Sequence, residues 1–215
     1  MFVRNFRMLL GLALAAVGLS LAGCFISSDP FITPATADYP FADGTILVEF
    51  HRSGAVASGW EKTERWRIAR EGAYYKLAGL AADGNNETTE PFLLKCLDRE
   101  KKCRGRYAIF QARHTDPNGR TYFVYGLLEF ADANTTLFRS FNAGIDIVDR
   151  GGHKELDECA RLSEKGRGEL GIELKDFENG KSCVVPSFQA LENLLMSLVR
   201  SGAEAETAYV KTANE

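Results

Sequence analysis

Histidine is scarce in this sequence, which contains only His51, His114 and His153. The three lie far apart, and none has the His-x-x-x-His or similar spacing from which metal sites are built. Each is predicted to be an ordinary polar residue of a surface or loop. The sequence also lacks the Gly-x-Ser-x-Gly elbow of hydrolases and the Walker loop that binds phosphates. We therefore predict no metal site, no cofactor and no catalytic residue that could be named from a motif.

Positive charge is not in excess either. The chain has 26 basic and 29 acidic residues, a formal net charge of -3. It contains no basic stripe with interleaved aromatic residues, so the usual electrostatic pattern of a nucleic-acid-binding protein is missing. Hydrophobic residues make up 45% of the chain, which is enough for a core and predicts a folded protein.

A single apolar run stands out, and it lies at the start of the chain. Arg4 and Arg7 precede residues 9–21, which are almost entirely apolar and end in small residues. This pattern is typical of a secretory signal peptide, predicted here over residues 1–23. An uncleaved membrane anchor is the alternative, but it needs about 20 apolar residues to cross the bilayer.

The last four residues of this region, Leu21-Ala22-Gly23-Cys24, resemble the bacterial lipobox. Resemblance to bacterial lipoproteins implies that Cys24 receives a diacylglyceryl group on its sulfur, becomes the mature N-terminus and is acylated there too. Several acyl chains on one residue give durable attachment to a membrane. In a two-membrane cell, Phe25 after the cysteine favours the outer membrane, with the protein facing the periplasm. Ordinary signal cleavage without lipid is the alternative.

Four cysteines remain once Cys24 carries lipid, and an even number in an oxidising compartment predicts two disulfides. Three pairings are possible. We favour Cys96 with Cys103, which bracket a polar run typical of a hairpin tip, and Cys159 with Cys183. A metal site is the alternative, but the Cys-x6-Cys spacing is not that of a zinc knuckle, and no histidine is near the first pair.

Composition divides the rest of the chain into three parts. Residues 24–43 have several prolines and many small polar residues, and are predicted to be a lipidated tether. Residues 44–200 are predicted to form a single α+β domain, and residues 201–215 a flexible polar tail. Without residues 1–23 the chain has 192 residues and a net charge of -5, a length that suits one domain.

Alternation of apolar and polar residues predicts antiparallel strands between residue 44 and about residue 141. Six or seven strands joined by short loops indicate a meander sheet, curved or even a half-barrel. The C-terminal third is predicted to supply helices that pack on one face of this sheet. The predicted strands are 45–50, a strand around Trp66 and Ile68, 73–77, 91–96, 106–112, 121–130 and 135–141.

Two helices are predicted in the C-terminal third. One covers residues 153–162, and the other begins after Pro186, with Ser187 as its N-cap. Residues at helical spacing give the second helix one apolar stripe, which we interpret as a core-facing surface. The stripe consists of Phe188, Leu191, Leu194, Leu195, Leu198 and Val199.

Two polar segments carry weaker signals. Residues 166–171 have the glycine spacing of a dinucleotide-binding loop, but they follow a polar run instead of an apolar strand, so a flexible turn is the better interpretation. Acidic residues collect farther upstream and could form a carboxylate pair or bind a cation, although a solvated helix entry explains them better. They are Asp146, Asp149, Glu155, Asp157 and Glu158.

Aromatic residues are abundant on the predicted strands, and a curved sheet lined by them could hold an apolar ligand. We therefore predict an envelope lipoprotein that binds a ligand or an envelope protein without catalysis. One version is a lipid carrier with a cavity lined by Trp66, Tyr75 and Tyr125, since the architecture loosely resembles the carrier fold of the outer-membrane receptor for lipoproteins. The alternatives are a periplasmic hydrolase using carboxylates or His114, and a purely structural protein.

Overall fold

The computed structural model describes residues 25–52, 59–80, 90–98, 103, 107–115, 119–130, 137–141, 164–177, 180–200 and 207–212. Sheet dominates this part of the chain, and helices are few, so the α+β class is confirmed with most of its weight on the sheet. The elements in chain order are β1 (Phe25–Ser27), β2 (Ile46–Arg52), β3 (Trp60–Glu71), β4 (Tyr74–Gly79), β5 (Phe92–Cys96), β6 (Tyr107–Thr115), β7 (Thr121–Phe130), β8 (Leu137–Phe141), α1 (Glu164–Leu170), β9 (Glu173–Phe177), β10 (Gly180–Val184), α2 (Phe188–Arg200) and β11 (Thr207–Thr212).

The described strands form one sheet, in the order β6-β5-β4-β3-β2-β11-β8-β7-β1-β10-β9. Each strand from β2 to β7 pairs antiparallel with the next one in the chain. In addition, β6 pairs with β7 over nine residue pairs, so eight strands are connected in a circuit of neighbours. The pairing of β1 with β10 is parallel.

Apolar side chains of the described residues form two large clusters, one on each face of the sheet, and a small third cluster of Ile26, Ala112 and Val124. Neighbouring residues of β5 and β6 alternate between the two large clusters, since Leu93 and Ile109 enter one cluster while Leu94 and Phe110 enter the other. The Leu191 cluster contains Phe25, Ile32, Leu93, Ile109, Tyr125, Leu127, Ile172, Cys183, Val185, Ala190, Leu191, Leu194 and Leu195. The Trp66 cluster contains Phe41, Leu47, Trp66, Ile68, Tyr75, Leu94, Cys96, Cys103, Ala108, Phe110 and Phe130.

Strand β7 is apolar on both faces and is covered on both. Its central residues, Val124 to Leu127, are all buried. Gly126 is required here because the ring of Phe110 lies against it, and a Cβ at this position would be 2.1 Å from Phe110 Cε1.

Helix α2 covers the sheet with residues of the predicted apolar stripe. Leu191, Leu194 and Leu195 are each at most 1% exposed and belong to the Leu191 cluster. The helix begins with a cap, since Ser187 Oγ accepts a hydrogen bond from the Ala190 N–H at 3.2 Å.

The N-terminal segment differs from the predicted tether. Phe25 and Ile26 are 0% and 4% exposed, and β1 is inserted between β7 and β10. Polar side chains far away in sequence hold the following residues: Gln111 accepts the Ile32 N–H at 2.7 Å and donates to the Ile32 carbonyl at 2.8 Å. The segment is therefore part of the fold, because partners on distant strands satisfy its backbone.

The C-terminal tail also differs from its prediction, because residues 207–212 form β11 between β2 and β8. Thr207 and Ala208 are buried. The predicted flexible turn at 166–171 falls largely in α1, which ends at Leu170, followed by Gly171 with a φ of 66°. The predicted helix at 153–162 lies outside the described residues.

Candidate functional site

A buried carboxylate lies on β2, within the sheet. Glu49 is 8% exposed, and it belongs to the same face of β2 as Leu47, a member of the Trp66 cluster. The residue register between β2 and β3 shifts between Val48 and Phe50, so that a bulge of two β3 residues, Thr63 and Glu64, lies opposite Glu49. Bulges of this kind re-aim side chains and are common near functional sites.

Donors from three strands surround this carboxylate. Glu49 Oε2 accepts a hydrogen bond from Trp66 Nε1 at 2.7 Å, and Oε1 accepts one from Thr63 Oγ1 at 3.1 Å. His51 Nε2 lies 2.6 Å from the same Oε1, and the Tyr209 hydroxyl also hydrogen-bonds the Glu49 side chain. We call these five residues, Glu49, His51, Thr63, Trp66 and Tyr209, the Glu49 site.

Two opposing effects act on the pKa of Glu49. Burial raises it, but the hydrogen bond and the charge of His51, together with the hydrogen bonds from Trp66 and Thr63, outweigh burial and lower the pKa below its ordinary value. The carboxylate is therefore ionised at neutral pH. An ionised carboxylate only accepts, so Nε2 is the nitrogen of His51 that carries the proton toward it.

The pKa of Tyr209 shifts in the opposite direction. Burial raises its pKa, and the charge and hydrogen bond of Glu49, with the charge of Glu64, raise it further. The phenol thus stays protonated and donates to the carboxylate. With four donors, Glu49 has filled about as many acceptor positions as a carboxylate offers.

Solvent reaches the Glu49 site at His51 and at Thr63, which is also exposed. The His51 side chain is 50% exposed, whereas that of Glu49 is 11% exposed. The arrangement fixes the ring and tautomer of a half-exposed imidazole through a buried anion, a device found in catalytic and ligand-binding histidines alike.

The predicted cysteines have different outcomes. Cys96 and Cys103 form the predicted disulfide, with a Cα–Cα distance of 4.8 Å, and both are buried in the Trp66 cluster. Cys183 is fully buried and disulfide-bonded. Its predicted partner, Cys159, lies outside the described residues, as does Cys24, so that pairing and the lipidation stay predictions.

The other candidate residues do not meet in one place. His114 packs its ring against Tyr122 on the neighbouring strand, with 4.9 Å between ring centroids. Trp66 and Tyr75 belong to the Trp66 cluster, but Tyr125 belongs to the Leu191 cluster on the opposite face. These three aromatic residues therefore do not line a shared cavity. His153 and the five acidic residues between positions 146 and 158 lie outside the described residues.

Sequence reasoning missed the Glu49 site, although one signal was present. Glu49 is a charged residue within an otherwise apolar run, residues 46–50, and has the same parity as Leu47 and His51. A charge at a core-facing position is rarely buried without partners, which makes such a residue a candidate for a polar site.

Comparison of the chain with protein-family models, with curated proteins and with solved structures found no match. In the part of the chain that the structure describes, no three His, Cys, Asp or Glu residues are grouped so that they could hold a metal ion. None of the described helices has the length and apolarity needed to span a membrane.

Proposed function

We propose that this chain is a bacterial envelope lipoprotein, attached through lipid on Cys24 to the periplasmic side of the outer membrane, and that its domain binds a ligand or a protein partner without catalysis. The lipobox resemblance at residues 21–24 and the even number of remaining cysteines support the location. The finer architecture, a curved meander with C-terminal helices over one face, belongs to this proposal. The consecutive pairings from β2 to β8 and the buried leucines of α2 support it.

The state of Glu49 is the observation that carries the proposal of a binding site, because it makes this carboxylate a support for His51 and not itself an acid or base. A general acid or base working near neutral pH needs a pKa close to that pH. The pKa of Glu49 is lowered instead, and its oxygens are occupied by donors from His51, Thr63, Trp66 and Tyr209. Glu49 is thus a positioning group, and the exposed His51 and Thr63 are the parts of the site that can contact a bound molecule.

Mass spectrometry of the protein purified from membranes of a bacterial host tests the lipoprotein assignment. We expect an acylated Cys24 and, after proteolysis without reduction, a peptide joining Cys159 to Cys183. Phe25 is opposite Cys183 in the β1–β10 register, so Cys24 is the competing partner. A disulfide between Cys24 and Cys183 would exclude the lipid on that sulfur and overturn the proposal.

Native mass spectrometry of the same preparation tests ligand binding. Wild-type protein is compared with His51→Ala, and with His114→Ala as the matched histidine control. We expect a co-purifying molecule or protein to be lost from the His51 variant and retained by the control. Equal retention by both variants would remove His51 from the binding surface.

The hydrolase remains the second candidate because one contact favours it, the 2.6 Å approach of His51 Nε2 to Glu49 Oε1. Its test is hydrolysis of p-nitrophenyl acetate by the wild type and by His51→Gln. Binding without catalysis predicts a His51-dependent rate no larger than that of free imidazole at the same concentration. A His51-dependent rate many-fold above that of free imidazole, saturating with substrate, would establish the hydrolase instead.

A further inference from the structure

Strand β1 begins one residue after Cys24 and is paired along both edges. Ile26 pairs with Val124 of β7 and with Val184 of β10. Phe25 is fully buried in the Leu191 cluster. Because consecutive Cα atoms are only about 3.8 Å apart, a lipid on the residue before Phe25 has no spacer between itself and the sheet.

Hydrogen bonds hold the next residues as firmly as β1 itself. Ser27 Oγ and the Tyr125 hydroxyl are 2.7 Å apart, and Tyr125 also accepts the Phe31 N–H at 3.2 Å. Two bonds from Gln111 clamp Ile32. Release of this segment to form a tether would break these bonds and expose Phe25 and Ile32, so the segment is expected to remain in the fold when the protein is anchored.

β1 pairs with the first half of β7, beside β8. β1 and β8 share one edge of β7: Ser27 pairs with Phe123, whereas β8 occupies the edge from Leu127 to Phe130. Only Tyr125 and Gly126 separate the two pairings. The chain before Phe25 therefore meets the sheet in the middle of β7, and not at an end of the strands.

We propose that the lipidated protein lies with its β1 flank directly against the bilayer, where the β1 flank is the surface of β9, β10 and the adjoining part of β7 on either side of the buried strand β1. The occupant of this surface is a lipid headgroup layer, because acyl chains attached one residue away can enter a bilayer only if the flank is at its surface. The inference rests on the proposed lipidation of Cys24. Contact through the β1 flank also sets the orientation of the molecule. In the circuit of eight strands, β3 is four strands away from β7 in either direction, so β3 faces away from the membrane.

Hydrogen–deuterium exchange of the lipidated protein tests this orientation. The protein is measured on phosphatidylethanolamine–phosphatidylglycerol vesicles and compared with the chain from residue 25 in solution. We expect amides of β9 and β10 to exchange several-fold more slowly on vesicles, while β3 and β4 are unchanged and Ile32 is equally protected in both samples. Loss of protection at Ile26 and Ile32 on vesicles would show that β1 detaches as a tether, and would overturn the inference.

A spacer variant provides the matched control. Ten Gly-Ser residues inserted between Cys24 and Phe25 leave β1 and the lipid intact but free the flank from the bilayer. We expect the extra protection of β9 and β10 to disappear, with Ile32 unchanged. If β9 and β10 kept their extra protection in the spacer variant, the short distance between the lipid and β1 would not be what holds the β1 flank against the bilayer. Intact mass decides separately whether Cys24 is acylated, so failure of the lipid proposal and failure of the orientation are distinguishable.

Discussion

Replacing Glu49 with glutamine is expected to destabilise the protein by about 2 to 3 kcal/mol. The substitution keeps the size of the side chain but turns one acceptor oxygen into a donor NH2. In one amide orientation this group faces Trp66 Nε1, and in the other it faces His51 and Thr63. In the first orientation a donor meets a donor, and an unsatisfied buried polar group costs about 1 to 3 kcal/mol. In the second, His51 must change tautomer and the Thr63 hydroxyl must rotate to accept, and in both the charge-assisted hydrogen bonds of the carboxylate are lost. The expected loss of unfolding free energy stays within about 2 to 3 kcal/mol because the half-exposed His51 can hydrogen-bond to water once the carboxylate is gone.

Urea unfolding followed by tryptophan fluorescence measures this change, using the mature chain with Cys24→Ser in place of the lipid. With a urea slope of about 2 kcal/mol per molar, the midpoint should fall by about 1 M or more. The matched control is Glu173→Gln, which removes an exposed ion pair with Lys175 at 3.0 Å and should cost at most about 1 kcal/mol. A Glu49 variant no less stable than the Glu173 variant would refute the reasoning.

The effect has a defined pH dependence. The folded pKa of Glu49 is lowered from its ordinary value of 4.5, so the unfolded chain binds the proton more tightly than the folded one. The stability from this carboxylate is therefore present above about pH 4.5 and is lost as the pH falls through the folded pKa. The difference between wild type and Glu49→Gln should shrink on acidification below pH 4.5. A difference that stays constant from pH 7 to pH 3 would show that ionisation is not its source.

Three further predictions use the same unfolding assay. Gly126→Ala should cost about 1 to 3 kcal/mol because its Cβ would collide with Phe110, whereas Gly168→Ala, with open space at that position, should be neutral or slightly stabilising. Tyr125→Phe should cost about 1 to 2 kcal/mol through its lost hydrogen bonds. Burial raises the pKa of Tyr125 from 10.0 to about 12. The stability that the protonated Tyr125 hydroxyl contributes should therefore be complete below pH 10 and lost as the pH rises toward 12, and the Tyr125→Phe variant should not show this loss. Replacing Cys96 and Cys103 by serine should cost about 2.5 kcal/mol from the closed seven-residue separation, and an unchanged midpoint would contradict that estimate.

Most strands of the sheet can be predicted from local sequence pattern. Period-two alternation between turn residues predicts strands close to β2 through β8, because alternate side chains face a core and the turns require glycine or polar residues. In the same way, the leucine spacing after Ser187 predicts a helix where α2 lies, and a polar run between two cysteines indicates the Cys96–Cys103 disulfide.

The terminal segments show where local pattern fails. Residues 25–43 contain little alternation, and they are ordered by Gln111, Tyr125 and other groups that the sequence does not mark as their partners. The six residues of β11 are predicted as a tail because their strand pattern is short, yet they fill the gap between β2 and β8. Propensity alone does not decide such segments, since tertiary pairing overrides it.

The sequence by itself determined the strand and helix periods and the supply of cysteines, and it predicts an export signal, because each of these depends on a local pattern of residues. Only the tertiary structure decided the Glu49 site and the course of the N-terminal segment. Glu49 lies on β2, Trp66 on β3 and Tyr209 on β11, the last almost at the C-terminal end of the chain. A carboxylate becomes a buried, ionised centre only when folding brings such distant donors around it, and no local pattern encodes that arrangement.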